Sequence, residues 1–287
     1  MKQISLIFFV ALLSCGRAGV DPQTDPTNWD AIANIIRYDN PSAFSLDQFD
    51  LSVPDTSIML PMSFQPLHWW RTIERDSLDI AVELTEPGPT DSLGSVPHGL
   101  ATITKYFWGT LEIIGQDTSG EVWQRVRLSK PFVMKGTISA LFEKVGFDYN
   151  SRRGWRLTQL SDAVYVPQGQ GQGLPAPQIE IRSSDSFYRI NPARKFLRYI
   201  PEFAPGESVT VTVSMSDTTN IIKMRYPYWS GFATTELPRI GDTYSGGFIF
   251  PRNEDYGHLL IDAVTGSAVS DTIRYRPNAI GVTYRIR

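Results

Sequence analysis

The sequence predicts an α+β N-terminal domain, in which a helix packs on an antiparallel meander, followed by an all-β sandwich of two sheets. Three observations predict this class: one amphipathic helical segment near the start, long alternating segments after it, and shorter alternating segments in the last third of the chain. A stretch of Gly, Gln and Pro over residues 167–178 has little to bury, which is typical of a linker. We therefore expect the α+β domain over residues 27–166 and the sandwich over residues 179–287.

The helix is predicted from its start signal and its periodicity. Thr27 and Asp30 have the spacing of a capping box, in which each side chain bonds to the backbone of the other residue. The apolar positions then repeat at helical spacing, as Trp29, Ile32, Ala33 and Ile36. Pro41 ends the helix, because the residue before a proline disfavours the helical conformation.

The rest of the N-terminal region is predicted to be extended. Its alternating segments are SLDIAVEL (77–84), ATITKYFWGTLEII (101–114), EVWQRVRL (121–128) and GWRLTQLS (154–161). The segment over residues 135–146 fits a helix through Ile138, Leu141, Phe142 and Val145, and fits a strand through Ile138, Ala140 and Phe142. We favour the strand, because the segment follows a proline and lies among other strands.

The C-terminal region is predicted to be all-β. In GESVTVTVSMSD (206–217), apolar residues alternate with Ser and Thr, which is the pattern of a half-buried strand. Further short strands are predicted at 220–229, 243–251, 257–264 and 279–287. This spacing favours a sandwich of two sheets. The run YSGGFIFPRNEDYGHLLIDA resembles the later strands of bacterial immunoglobulin-like domains, and the resemblance implies that fold without implying a function.

A second resemblance concerns the run from Val126 to Ser161. It is similar to the last strands of cone-shaped nuclear transport factor 2-like domains, which often hold an apolar pocket. Six of the seven tryptophans lie in the N-terminal region. The resemblance therefore implies a candidate pocket lined by Trp69, Trp108, Trp123 and Trp155. The alternative, which we favour, is that these rings are ordinary core residues.

The sequence holds few signs of catalysis. It has no nucleophile elbow, no phosphate-binding loop and no zinc-binding helix motif. The three histidines, His68, His98 and His258, are far apart in sequence, and His258 is predicted to be a structural residue of a strand. We predict no catalytic residue, no metal site and no cofactor, and favour a non-catalytic role. Convergence of Asp79, Glu83 or Glu112 in one buried cleft would instead indicate an enzyme.

The first fifteen residues have the pattern of a targeting signal. Lys2 supplies a positive charge, and Leu6 to Leu13 form an apolar run. A helix of this length spans only about 12 Å, against a hydrocarbon core of roughly 30 Å, so the run suits a signal peptide and not a membrane span. It ends in Leu12-Leu13-Ser14-Cys15, which resembles the lipobox of bacterial lipoproteins.

The lipobox resemblance implies that residues 1–14 are removed and that Cys15 is lipidated on its sulfur and its new amino group. Residues 15–26 then form a lipid anchor and tether. Cys15 is the only cysteine, so no internal disulfide competes for its sulfur. The alternative is an ordinary cleaved signal with an incidental cysteine. Gly16 stands where enterobacterial lipoproteins of the inner membrane carry an aspartate, which favours the outer membrane.

These observations predict a lipoprotein of the cell envelope, facing the periplasm or the cell surface, that serves as a non-catalytic binding or assembly component. Its expected partners are the membrane, through Cys15, and an envelope protein or a glycan. The net charge of −3 and the lack of a basic run give no basis for nucleic-acid binding. Two alternatives stay open: a ligand-binding or enzymatic pocket lined by the N-terminal tryptophans, and a glycan-binding surface of exposed aromatic residues.

Overall fold

The computed structural model of the chain describes residues 26–49, 55–56, 64–86, 96–117, 124–168, 177–191, 196–197, 200–215, 220–228, 231–251, 256–265 and 278–287. The predicted signal peptide, Cys15, Trp123 and most of the predicted linker lie outside these residues. Within the described part of the chain, none of the helices has the length and apolar character that a membrane span requires.

The helical segments are α1 (Pro26–Asn34), a π-helical turn (Ile35–Asp39) and 3-10 turns at Pro41–Phe44, Asp47–Phe49 and Ser151–Gly154. The strands of the first half are β1 (Asp55–Thr56), β2 (Phe64–Thr85), β3 (His98–Asp117), β4 (Gln124–Lys144), β5 (Trp155–Leu160) and β6 (Ala163–Pro167). Those of the second half are β7 (Gln178–Arg182), β8 (Phe187–Ile190), β9 (Glu202–Phe203), β10 (Ser208–Ser214), β11 (Asn220–Tyr228), β12 (Gly231–Glu236), β13 (Arg239–Ile240), β14 (Thr243–Ile249), β15 (Tyr256–Thr265) and β16 (Asn278–Ile286).

The predicted fold class, an α+β domain followed by an immunoglobulin-like sandwich, is wrong. The described residues are mostly β, with one nine-residue α-helix and two sheets whose strand pairs are antiparallel except for β9 with β16. The predicted helix is present, but it covers only α1 and the π-helical turn after it. Far more residues of this region lie in strands than in helices, because β2, β3 and β4 are 22, 20 and 21 residues long. The segment over residues 135–146 lies mostly in β4, so the strand interpretation is confirmed.

The larger sheet joins strands from both halves of the sequence. It has eleven strands, in the order β1-β2-β3-β4-β6-β16-β15-β11-β12, with β5 also paired to β4 and β9 to β16. The halves meet where β6 pairs with β16 and Tyr165 lies opposite Ala279. One sheet therefore spans the regions on either side of residues 167–178, and the domain boundaries themselves stay a prediction.

The smaller sheet covers one face of the C-terminal strands. Its order is β13-β14-β10-β7-β8. The alternating valines of β10 pack with Leu259 and Ile261 of β15 and with Val282 of β16 in one apolar core. The predicted half-buried strand is confirmed over Ser208–Ser214 of the segment 206–217, where Val209, Val211 and Val213 are buried.

A second core lies on the other face of β15 and β16. There Leu260 and Val264 pack with the 3-10 turns after α1 and with the inner faces of β2, β3 and β4. The central strands are thus buried on both sides, which explains why nearly every residue of β16 is buried. Such strands carry near-continuous apolar residues instead of an alternating pattern.

Candidate functional site

The three described tryptophans of the predicted pocket divide between two faces of the long strands. Trp69 lies opposite Ile113 of β3, and both are buried in the core that contains α1. Trp155 is buried in the same core, where its Nε1 donates a hydrogen bond to Asn28 Oδ1 at 3.0 Å. Trp108 is half-buried on the opposite face of β3, because side chains alternate along a strand. Trp123 lies outside the described residues.

Trp69 lies beside a buried group of charges. Only 2% of Trp69 is exposed, and Lys223 Nζ is 3.1 Å from the centroid of its ring. Arg71 is fully buried, with Nη2 2.5 Å from Asp262 Oδ2 and its guanidinium 4.4 Å from the centroid of the Phe49 ring. Lys223 and Asp262 lie opposite each other on β11 and β15. These side chains are buried, so they are not accessible to a ligand in this conformation. Their contacts instead fix how the strands pack.

A second buried polar group surrounds His258. Its Nε2 donates to the carbonyl oxygen of Ala43 at 2.9 Å, and its Nδ1 lies 3.1 Å from the hydroxyl of Thr283. The backbone N–H of Thr283 donates to Asp162 Oδ1 at 2.9 Å. Burial lowers the pKa of His258 to about 4 and raises the pKa of Asp162 to about 7. Because both are inaccessible, the reading of His258 as a structural residue agrees with this geometry.

The open surface of the long strands is their outer face, which points away from α1. We define the outer face by Thr72 and Arg75 on β2, Tyr106, Trp108 and Glu112 on β3, and Ser129 and Lys135 on β4. On β3 the alternating residues Ala101, Ile103, Phe107, Leu111 and Ile113 are buried in the core, so the residues between them point outward. All seven outer-face residues are exposed or half-buried.

An aromatic pair stands at the centre of the outer face. The rings of Tyr106 and Trp108 lie 5.8 Å apart, centroid to centroid, at an interplanar angle of 27°. Cations from the two neighbouring strands flank them: Arg75 Cζ is 4.4 Å from the Trp108 ring, and Lys135 Nζ is 6.0 Å from the Tyr106 ring. This arrangement stabilises the sheet through cation–π contacts, and it also presents aromatic and charged groups to solvent.

Carboxylates and hydroxyls extend the outer face beyond the rings. Glu112 accepts hydrogen bonds from Arg127 Nε and Ser129 Oγ, each at 2.9 Å. The hydroxyl of Thr110 donates to Glu74 Oε1 at 2.6 Å. These groups supply donors and acceptors that a polar ligand can use.

The carboxylates that would indicate an enzyme do not meet in a buried cleft. Asp79 and Glu83 are exposed residues of β2, and Glu112 is held by its neighbours on β4. Among the described residues, no three His, Cys, Asp or Glu side chains form a group that could hold a metal ion. His68 lies in β2, and His98 begins β3, where its Nδ1 lies 3.1 Å from the carbonyl oxygen of Val96.

Sequence reasoning did not single out Tyr106, Arg75 or Lys135. The signal was available in part, because Tyr106 and Trp108 have the same parity along one predicted strand and therefore share a face. Which face is buried depends on the register with β2 and on what α1 covers, and neither can be read from one segment.

Comparisons with known proteins do not assign the chain to a family. Neither the family models nor the curated proteins contain a match to this sequence. The function is therefore inferred from the residues and their geometry.

Proposed function

We propose that this chain is a lipid-anchored lipoprotein of the bacterial cell envelope that binds a partner and catalyses no reaction. The observation that carries the proposal is Cys15, the only cysteine, which ends a short apolar run in a lipobox-like sequence. In this proposal, residues 15–26 form the anchor and tether, and α1, the first described element, begins at Pro26.

The outer face is the binding surface in this proposal. Its aromatic pair faces solvent, whereas Trp69 and Trp155 are buried in the core. The described ionisable groups with the strongest burial, such as Asp162 and His258, bond to protein atoms inside the molecule. The accessible groups are thus arranged across a sheet surface and not around a reaction centre, which favours binding over catalysis.

The anchor is tested by lipid labelling in a bacterial host. Radiolabelled palmitate should enter the wild-type protein and should not enter the Cys15→Ser variant, because the variant lacks the sulfur that carries the lipid. Phe187→Ser, a surface variant on the smaller sheet that keeps Cys15, serves as the control and should label like the wild type. Failure of palmitate to enter the wild-type protein would show that it is not a lipoprotein.

A glycan is the partner that the aromatic pair favours. Aromatic rings offer rigid apolar area to the C–H faces of sugars, and nearby carboxylates, hydroxyls and guanidinium groups bond to sugar hydroxyls. Tyr106 and Trp108 supply the rings, while Arg75, Thr110 and Glu112 supply polar groups beside them.

Glycan binding is tested with purified peptidoglycan sacculi in a co-sedimentation experiment. Trp108→Ala should reduce the fraction of protein that sediments, because it removes the larger ring of the pair. Phe187→Ala removes a partly exposed aromatic residue from the smaller sheet and should leave sedimentation unchanged. Equal sedimentation of Trp108→Ala and the wild type would rule out sacculus binding by the outer face.

A further inference from the structure

We propose that the loop between β4 and β5 contacts the interfacial region of the same bilayer that holds the lipid anchor. This inference rests on the proposed lipid attachment at Cys15. We call residues 145–150 the aromatic loop. Three of its side chains are apolar and exposed: Val145 by 50%, Phe147 by 68% and Tyr149 by 84%.

The aromatic loop is ordered by its own hydrogen bonds. The backbone N–H of Phe147 donates to Asn150 Oδ1 at 2.9 Å, and the N–H of Asn150 donates to the carbonyl oxygen of Phe147 at 2.9 Å. Asp148 bridges Lys144 at 2.6 Å and Arg153 at 2.8 Å. The rings of Phe147 and Tyr149 stack 5.3 Å apart, at an angle of 12°. Two large rings are therefore held outward in a fixed arrangement.

The aromatic loop lies beside the start of α1, where the tether enters the fold. Asn28, the third residue of α1, accepts hydrogen bonds through Oδ1 from Arg153 Nε at 3.1 Å and from Trp155 Nε1 at 3.0 Å. Arg153 in turn holds Asp148 of the loop. The loop and the first turn of α1 thus lie together at the same end of the long strand β4.

Chain length limits how far the loop end can lie from the membrane. The eleven residue-to-residue steps from Cys15 to Pro26 can reach at most about 40 Å when fully extended. From Lys144 at the loop end of β4 to Arg125 near its other end is about 60 Å along the strand. The anchor therefore keeps the loop end within about 40 Å of the bilayer, whereas an upright molecule holds the far end of the long strands about 60 Å farther away.

The chemistry of this end fits the lipid–water interface. Aromatic side chains favour that region, because their rings are apolar and their edges tolerate water. A third exposed ring, Tyr38, adjoins the loop, since its neighbour Asp39 pairs with Arg152 through two hydrogen bonds, at 2.9 and 2.6 Å. Arg37 is also exposed there and can meet lipid phosphates.

The test uses the mature protein reconstituted in vesicles of phosphatidylethanolamine and phosphatidylglycerol. Tyr149→Cys carries an environment-sensitive maleimide dye at the loop, and Arg125→Cys carries it near the other end of β4. Nitroxide-bearing lipids should quench the dye at position 149 and shift its emission to shorter wavelength. The dye at position 125 should be unaffected. Equal quenching at both positions, or quenching at neither, would overturn the proposal.

The lone cysteine separates failure of the anchor from failure of the loop contact. In the wild type, a lipidated Cys15 takes up no maleimide, so dye on that chain would contradict lipidation itself. The same two labels in the Cys15→Ser chain, mixed with vesicles, test the loop without the anchor. Quenching at position 149 there supports the contact by itself. Absence of quenching at position 149 in both the anchored and the unanchored chain overturns it.

Discussion

Arg71 and Asp262 carry opposite charges in a part of the interior where neither side chain reaches water. Moving both charges out of water costs several kcal/mol, and their attraction repays this only while both are present. The ring of Phe49 covers the guanidinium, and Lys223 lies across from Asp262 on the next strand. Asp262 therefore balances the cations that β2 and β11 bring into the core.

Removing the carboxylate charge should be costly. Asp262→Asn should lower the free energy of unfolding by about 3–5 kcal/mol, because it leaves the Arg71 charge buried without its counter-charge. Glu180→Gln breaks the more exposed pair with Arg189 and should cost only about 0–1 kcal/mol. Urea unfolding followed by circular dichroism measures both. Similar losses in the two variants would contradict this role of Asp262.

The pair of Asp162 and His258 should make opposite contributions to the pH dependence of stability. The folded pKa of Asp162 is raised to about 7 from 3.8, so its contribution to stability falls as pH rises between these values. The folded pKa of His258 is lowered to about 4 from 6.5, so its contribution rises with pH over that window. In the wild type, the two contributions to stability therefore change with pH in opposite directions.

Single substitutions should reveal the contribution of each residue to the pH dependence of stability. Relative to the wild type, Asp162→Asn should become more stable as pH rises from about 4 to 7, because only the His258 slope is left. His258→Gln should become less stable over the same range, because only the Asp162 slope is left. The change should amount to about 4 kcal/mol for Asp162→Asn and about 3 kcal/mol for His258→Gln. Urea unfolding at several pH values across this range measures the stability of both variants. If stability changed with pH in the same direction in both, the buried groups would not titrate as described.

Among the elements, β2 and β3 make an unusually close approach at Gly109. A Cβ at this position would lie 2.2 Å from the carbonyl oxygen of Thr72 and 3.1 Å from the ring of Phe132. The β-bulge between Ile73 and Arg75 lies at the same point of the pairing. The glycine thus lets the two long strands pair through an irregularity without a steric clash.

Adding one methyl group at this point should separate the strands. Gly109→Ala should lower the free energy of unfolding by about 1–3 kcal/mol. The backbone of Thr72 cannot move away from the added methyl group without breaking the pairing of β2 with β3. Gly231→Ala is a matched control, because no atom of the described residues, apart from its chain neighbours, lies within 4 Å of its added Cβ. Its effect should stay within about 0.5 kcal/mol. Thermal unfolding measures both variants. A Gly109→Ala protein as stable as the control would refute the close approach.

Local patterns predicted the elements but not their assembly. The alternation of Val209, Val211 and Val213 identifies β10 because side-chain direction has a period of two in any strand. The pairing of β6 with β16 brings Tyr165 to Ala279, and no local pattern encodes a contact over that separation. The predicted fold class was wrong because it assigned a whole structural layer to one short helix and could not foresee that both halves of the chain share a sheet. The outer face was missed because the burial of Trp69 and the exposure of Trp108 depend on register.

At the scale of the whole molecule, the two regions are joined by a shared sheet and a shared core. Ala163 and Tyr165 of β6 and Leu260 and Ala279 of the C-terminal strands belong to one apolar cluster. Thr283 adds the hydrogen bond to Asp162 across the same junction. The stability of each region therefore depends on the other.

Cleavage of the chain within residues 167–178 should leave the two fragments together. A specific protease site inserted between Gln170 and Gly171 provides the cut, and the nicked protein should elute from a sizing column at the volume of the intact protein. In guanidinium chloride the fragments should separate, which is the control for complete cleavage. Elution of two separate folded fragments in buffer would show that β6 and β16 do not hold the regions together.

In the proposed orientation, Cys15 is held at the membrane, the aromatic loop lies beside it, and the outer face runs along strands that extend about 65–70 Å. Mass spectrometry of the N-terminal peptide from membrane-extracted protein tests the central claim most directly. The account predicts a mature chain that begins at Cys15 and carries a thioether-linked lipid with an acylated amino group. A chain that begins elsewhere, or an unmodified Cys15, would contradict it.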